Sequence, residues 1–270
     1  MDISKPRLSV SIASNRSLIQ NFELLFELVK RDLKSKYKNT FLGILWVVLQ
    51  PLLLALFFVL LREKFVNKFL NYHTDYILMF SALIIWQFFS TSIQRGAPSI
   101  EFNNHLIYRI KFLKILLPLS VVISALVDSL VNVLVFFVFL LLFKQIFFIS
   151  IFYLVLILFV SSFFVAALTL FFSILICFFA DLRHLVPFIV QLSLFGLPIM
   201  YDENIIPSHF RAIYQNIPLV WMVSKTKEVV SGNIFLWNSN VTIVFFTGII
   251  SLFLTYLFFR RLENFIIDYI

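Results

Sequence analysis

The sequence predicts an all-α integral membrane protein. Six transmembrane helices are expected, preceded by an amphipathic interfacial helix and joined by short re-entrant helices on the extracytoplasmic side. Three observations predict this. Hydrophobic residues fill 61% of the 270 positions and charged residues only 13%, about half the share found in soluble domains. Six apolar runs approach or exceed the ~20 residues that cross a hydrocarbon layer roughly 30 Å thick. A basic amphipathic stretch, Lys30–Lys38, leads straight into the first of them.

Residues 1–16 have no periodicity and are expected to form a mobile N-terminus. Over 17–40, Leu18, Phe22, Leu25, Phe26, Val29, Leu33 and Tyr37 recur at spacings of three and four. Glu23, Glu27, Lys30, Arg31, Lys34 and Lys38 occupy the remaining surface. That pattern makes an amphipathic helix whose basic end lies in the plane of the cytoplasmic interface. A single membrane domain fills 41–270.

Its expected spans are Phe41–Leu61, Tyr76–Ile93, Ile115–Phe143, Ile151–Ile176, Leu185–Tyr201 and Val241–Phe259. In the first, Gln50-Pro51 falls near mid-membrane. Proline removes a backbone donor and kinks the helix, and the freed groups need partners that lipid lacks. This helix should therefore face a pathway or another helix. Between the second and third spans, Arg95–Lys114 carries a short amphipathic pattern after Pro98.

The third span holds Asp128 and Asn132 on one helix face. An intramembrane carboxylate faces the bundle interior or water, for proton coupling or to hold a neighbouring helix. With no cationic partner visible in the sequence, the structural role is the expectation. The 36 uncharged positions between Lys144 and Asp181 exceed one helix's need, so the first few should form an interfacial turn. Leu197–Gly232, with three prolines, reads as one or two short helices dipping into the outer leaflet, or as a folded loop.

The net charge of +8 is a topology signal. With six spans, 15 of the Lys and Arg lie on the side that holds both termini and 7 on the other. This predicts cytoplasmic termini in an inner membrane, and affinity for anionic lipid rather than nucleic acid. The first apolar run is full length with no small-residue cleavage site, so no cleaved leader is expected. Cys177 stands alone, which excludes a disulfide within the chain. No phosphate loop, metal-ligand spacing or catalytic motif occurs, and His73, His105, His184 and His209 lie on separate loops. Transport fits this chemistry better than catalysis, with no metal or cofactor in the chain.

The stretch Leu28–Leu54, LVKRDLKSKYKNTFLGILWVVLQPLLL, resembles the N-terminal segment of type-2 ABC transporter permeases that export cell-surface polysaccharides: the O-antigen, capsule and teichoic-acid exporters. Four further segments resemble this family in the same order. They are Asn104–Ile107 with Ile110–Phe112 and Leu116–Pro118; Phe178–Arg183; Gly196–Tyr201; and Arg261–Ile270. Ala180 stands where the family usually has arginine, and Asn216-Ile217-Pro218 where it has adjacent Asn-Pro.

The resemblance implies a homodimer of this chain carrying two copies of a separate ABC ATPase subunit, which would hold ATP and Mg. The cargo would be a glycan linked to undecaprenyl pyrophosphate. Asn104, Leu106, Ile107, Arg109, Asp181 and Arg183 would couple to the ATPase. Arg31, Lys34, Lys36 and Lys38 would meet the pyrophosphate, since charge-assisted contacts are the strong ones; topology and anionic lipid explain the same charges equally well. Trp46, Trp86, Phe89 and Tyr201 would line the glycan passage, although the tryptophans also fit an interfacial belt.

Export of a drug or another lipid by the same permease class is an alternative, as is an ATPase-free channel. An intramembrane acyltransferase using Asp128 and a histidine is a further one, though it needs both on one side of the membrane.

Overall fold

The computed structural model describes residues 18–38, 41–43, 45–66, 72–110, 112–142, 148–201, 203, 206–232 and 239–269. The stretch 1–16, expected as a mobile terminus, lies outside them. Among the described residues every regular element is helical: α1 (Leu18–Tyr37), α2 (Leu45–Val66), α3 (Tyr72–Gly96), α4 (Ser99–Phe102), α5 (Asn104–Arg109), α6 (Leu116–Leu142), α7 (Phe148–Phe178), α8 (Leu182–Gly196), α9 (Ser208–Gln215), α10 (Pro218–Val230) and α11 (Ser239–Tyr269).

Four helices are long and apolar enough to cross a membrane: α3, α6, α7 and α11. The chain is thus a multi-pass membrane protein. Two of the six expected spans are shorter apolar helices, within α2 and at α8. The fifth expected span, Leu185–Tyr201, differs most. At 15 residues α8 is roughly 22 Å long, and it ends at Gly196. The cause is local. Leu197 precedes Pro198 and takes an extended conformation, while the Gly196 carbonyl accepts hydrogen bonds from the hydroxyls of Tyr201 (2.9 Å) and Tyr214 (2.8 Å).

Pro51 lies in the second turn of α2 rather than near its middle, because the helix begins at Leu45. The expected interfacial turn before the fourth span falls partly on residues outside the description. From Phe148 onward the chain is one 31-residue helix, and Ser150 donates to the Val229 carbonyl of α10 at 2.9 Å.

Most of α3 is buried and most of α11 is not, so α3 is the hub and α11 a flank resting on α7. Gly248 permits that closeness, since a Cβ there would meet Phe163 Cβ and Phe164 N at 3.3 Å. Apolar residues gain nothing by leaving lipid for an equally apolar neighbour, so shape and polar contacts must hold such helices together. The core packs Phe80, Leu83, Phe88 and Phe136 at the α3–α6 contact with Met222 and Val223 of α10. With eight buried residues, α10 is an internal element. Its Lys227 ammonium reaches the carbonyls of Pro198 (3.0 Å) and Tyr201 (3.2 Å).

Candidate functional site

Two apolar helices each carry one polar stripe. On α3, Gln87, Ser90, Thr91 and Gln94 fall at helical spacing, and on α6 Asp128, Ser129 and Asn132 do the same. The stripes face one cavity of about 390 Å³, completed by Lys36 and Tyr37 of α1, Trp46, Val47 and Gln50 of α2, Trp86 and Arg95 of α3, and Gln191 of α8. It starts at the end of the bundle that holds α4 and α5. Asn132 lies roughly 24 Å along α6 from that end.

The amphipathic helix α1 forms one wall. Instead of lying apart from the spans, it pairs with α6 at successive levels: Leu28 against Leu116 and Leu117, Asp32 with Ser124, and Lys36 with Asp128. Both helices advance in the same direction through these contacts. The physical reason is polar: the face of α1 that meets the bundle carries Asp32, Lys36 and Tyr37, whose partners all lie on neighbouring helices.

Asp128 therefore has the cationic partner that its own span did not reveal. The Lys36 ammonium donates to its Oδ2, and the Tyr37 hydroxyl to its Oδ1 at 2.6 Å. Burial, then the hydrogen bond to Asp128 and the nearby carboxylate charges, hold the Tyr37 phenol well above its ordinary pKa. Asp32 is matched in the same way, accepting from Arg95 Nη2 at 2.7 Å and from the Ser124 hydroxyl. Two cations and two carboxylates thus neutralise one another along the α1 wall.

The remaining groups are neutral. Gln87 Nε2 donates to Gln50 Oε1 at 3.3 Å, Gln94 Nε2 to Ser90 Oγ at 2.8 Å and Trp86 Nε1 to Ser193 Oγ at 3.3 Å. Arg95 Nη1 is buried without a partner, and so is Asn132, which is 1% exposed with neither its Oδ1 nor its Nδ2 partnered. Buried amides are normally satisfied, so this one marks a place where a ligand or water group belongs. Among the described residues no cluster of His, Cys, Asp and Glu could hold a metal ion.

The sequence-derived candidates scatter. Of the four basic residues only Lys36 lines the cavity. Arg31 Nη2 donates to Asn103 Oδ1 at 2.8 Å, while Lys34 and Lys38 are exposed. Trp46 and Trp86 line the cavity, but Phe89 packs into the core. Tyr201 joins Tyr214 through a 2.9 Å hydroxyl contact beyond the end of α8.

Of the residues assigned to ATPase coupling, Arg183 at the start of α8 is paired with Glu101 of α4, a residue not singled out that precedes the Asn104–Arg109 segment. Leu106 and Ile107 anchor α5 on α1 and α6, Arg109 and Asp181 are exposed, and Asn104 is half-buried. Phe102, Tyr108 and Ile110 are exposed nearby. The missed residues had a signal. Four polar side chains at helical spacing in an apolar run, Gln87 to Gln94, mark an inward face as plainly as Asp128 does.

The sequence matches the family model described as ABC-2 type transporter over residues 23–230. Two relatives from Klebsiella pneumoniae are each named O-antigen export system permease protein RfbA. One is 28% identical over 242 residues, covering 89% of this chain and 92% of its own, and the other 26% over 243 residues, covering 90% and 93%. A relative of the same name from Myxococcus xanthus is 31% identical over 191 residues, covering 71% of this chain and 73% of its own. With that match across most of its length, on a helical bundle that crosses the membrane, this chain is a transport protein rather than an enzyme and belongs to the ABC-2 type transporter family.

Proposed function

We propose that this chain is the membrane subunit of an ATP-driven exporter that moves a lipid-linked polysaccharide, of the O-antigen class, across the cytoplasmic membrane. The observation that carries this reading is a cleft walled by amides, hydroxyls and two tryptophans inside helices that are otherwise apolar. A drug or simple lipid would call for an apolar wall, whereas a glycan needs hydrogen-bonding groups beside aromatic faces. The names borne by relatives aligned over nine-tenths of the chain point the same way.

In this reading α2 and α8 complete six crossings, and both termini, α4 and α5 lie in the cytoplasm of a Gram-negative-type inner membrane. Two copies of the chain pair, and two ABC ATPase subunits carrying ATP and Mg²⁺ dock beneath them. The surface around Phe102, Tyr108, Arg109 and Asp181 receives the ATPase. Closure of the ATPases then acts on α4 and on the start of α8 together, because the Glu101–Arg183 pair joins them. The carrier is an undecaprenyl pyrophosphate, whose polar end approaches along α1.

Deletion of the gene should abolish the surface polysaccharide ladder while lipid-linked glycan accumulates inside. The full-length protein should copurify with an ABC ATPase. A deletion strain with normal surface polysaccharide would overturn the reading.

A further inference from the structure

We propose that Lys227 and Tyr214 are positioning residues for export. They tie the end of α8 remote from α4 to α10 and α9, so that a displacement imposed at Arg183 reaches those two helices. This deepens the export reading and rests on it.

Backbone chemistry is the first argument. A helix ends on carbonyls that have no partner within it, and lipid supplies none. At the end of α8 those acceptors are met by side chains that follow it. The Gly196 carbonyl accepts from the hydroxyls of Tyr201 and, on α9, Tyr214, which lie 2.9 Å from each other. The Lys227 ammonium of α10 donates to the Pro198 and Tyr201 carbonyls at 3.0 and 3.2 Å. A cation there also suits the helix dipole. Leu197, Pro198 and Ile199 are buried, so these donors stand where water would otherwise have to enter.

Contrast in packing is the second argument. Eight of the 13 residues of α10 are buried, and it rests on α3 and α7. In α8 three are buried, Val186, Val190 and Leu194, about one per turn. Phe188, Leu192 and Phe195 on its other side are exposed. Apolar contact therefore holds α8 lightly, and polar contacts decide where its ends sit. At the α4 end that contact is the Glu101–Arg183 pair. Pro187 removes a helix bond near the same end, which leaves 188–196 as an unbroken length that moves with the knot at Gly196. Glu203 extends the knot, accepting from Gln215 Nε2 of α9 at 2.6 Å and from the Ser224 hydroxyl of α10. Helices α9 and α10 thus respond together.

The test uses the full-length chain with its partner ATPase. Surface polysaccharide is measured in a deletion strain carrying each variant at matched membrane level, and ATP hydrolysis on the purified complex in lipid nanodiscs. Lys227→Met and Tyr214→Phe should each lower the polysaccharide exported per ATP hydrolysed about three- to ten-fold. That is the shift which loss of one or two hydrogen bonds gives to a two-state equilibrium. Hydrolysis itself should stay near wild type, because the Arg183 end is untouched. Lys227→Arg, which keeps cationic donors, should export nearly as wild type. So should Lys225→Met, since that ammonium meets Glu228 of its own helix. Tyr214→Phe keeps the ring and serves if Lys227→Met does not insert.

Normal export by the inserted Lys227→Met or Tyr214→Phe variant overturns the positioning role. So does an equal loss in Lys225→Met, or a loss in Lys227→Arg as large as in Lys227→Met. A parallel fall in hydrolysis and export overturns it too, because a merely structural residue would give that. The export reading survives each of these outcomes and falls instead if the deletion strain keeps its surface polysaccharide.

Discussion

Lys36, on the helix that precedes the first span, donates to the carboxylate of Asp128 near the middle of α6. Both side chains are about 15% exposed, so neither can be solvated alone without cost. Removing one partner strands the other charge, whereas removing both need not destabilise the bundle. Lys36→Met and Asp128→Asn should each lower the melting temperature in detergent, and the double variant should recover part of the loss. The double-mutant cycle should give a coupling on the order of 1–3 kcal/mol. Additive single effects would contradict the pairing.

Tyr37 donates to the same carboxylate at 2.6 Å, and its proton is held more tightly in the folded state than in the unfolded one. Stability arising from a raised pKa is complete below the unfolded value, about 10 for a phenol, and is lost as pH rises through the folded value. Wild type should therefore melt above Tyr37→Phe by about 2–6 °C between pH 7 and 9. Above pH 10 that gap should narrow. Thermal unfolding across the pH series checks it, and a constant gap up to pH 11 would count against the hydrogen bond.

Glu101 and Arg183 join two segments 82 residues apart. Reversing one charge, as in Glu101→Arg or Arg183→Glu, places like charges together and should uncouple ATP hydrolysis from export in a reconstituted complex. Exchanging both charges should restore coupling at least in part. ATPase stimulation by the permease is the measurement, and a swap no better than the single reversals would exclude this pair as the link.

Gly96 ends α3 against α7. A Cβ placed there would lie 2.3 Å from Thr169 Cγ2, and Thr169 is fully buried with its hydroxyl bonded to Val165 O at 2.8 Å. Gly96→Ala should cost about 1–3 kcal/mol as overpacking and reduce the monodisperse yield. Thr169→Ser removes the clashing methyl and keeps the hydroxyl bond, so it should rescue the alanine variant. Equal yields for Gly96→Ala with and without Thr169→Ser would show that the clash is relieved elsewhere.

The sequence by itself determined the class of the molecule. Apolar runs of membrane length, the stripe from Leu25 to Tyr37 and the polar pair Asp128 and Asn132 each follow from a local period, which needs no knowledge of neighbours. Local chemistry also explains where reading by hydropathy overran. Leu197 before Pro198 stops α8, although the composition continues apolar to Met200. What only the tertiary structure decided is pairing. Lys36 and Asp128 are 92 positions apart, and no periodicity relates a basic residue on one helix to an acid on another. The same holds for Asp32 with Arg95 and for Glu101 with Arg183. Once α1 rises along α6, Lys36, one of the charges that looked like a membrane-surface patch, becomes an internal counter-ion, while Lys34 and Lys38 stay exposed. The same packing closes the interior around Asn132, whose 1% exposure no local period in α6 foretells.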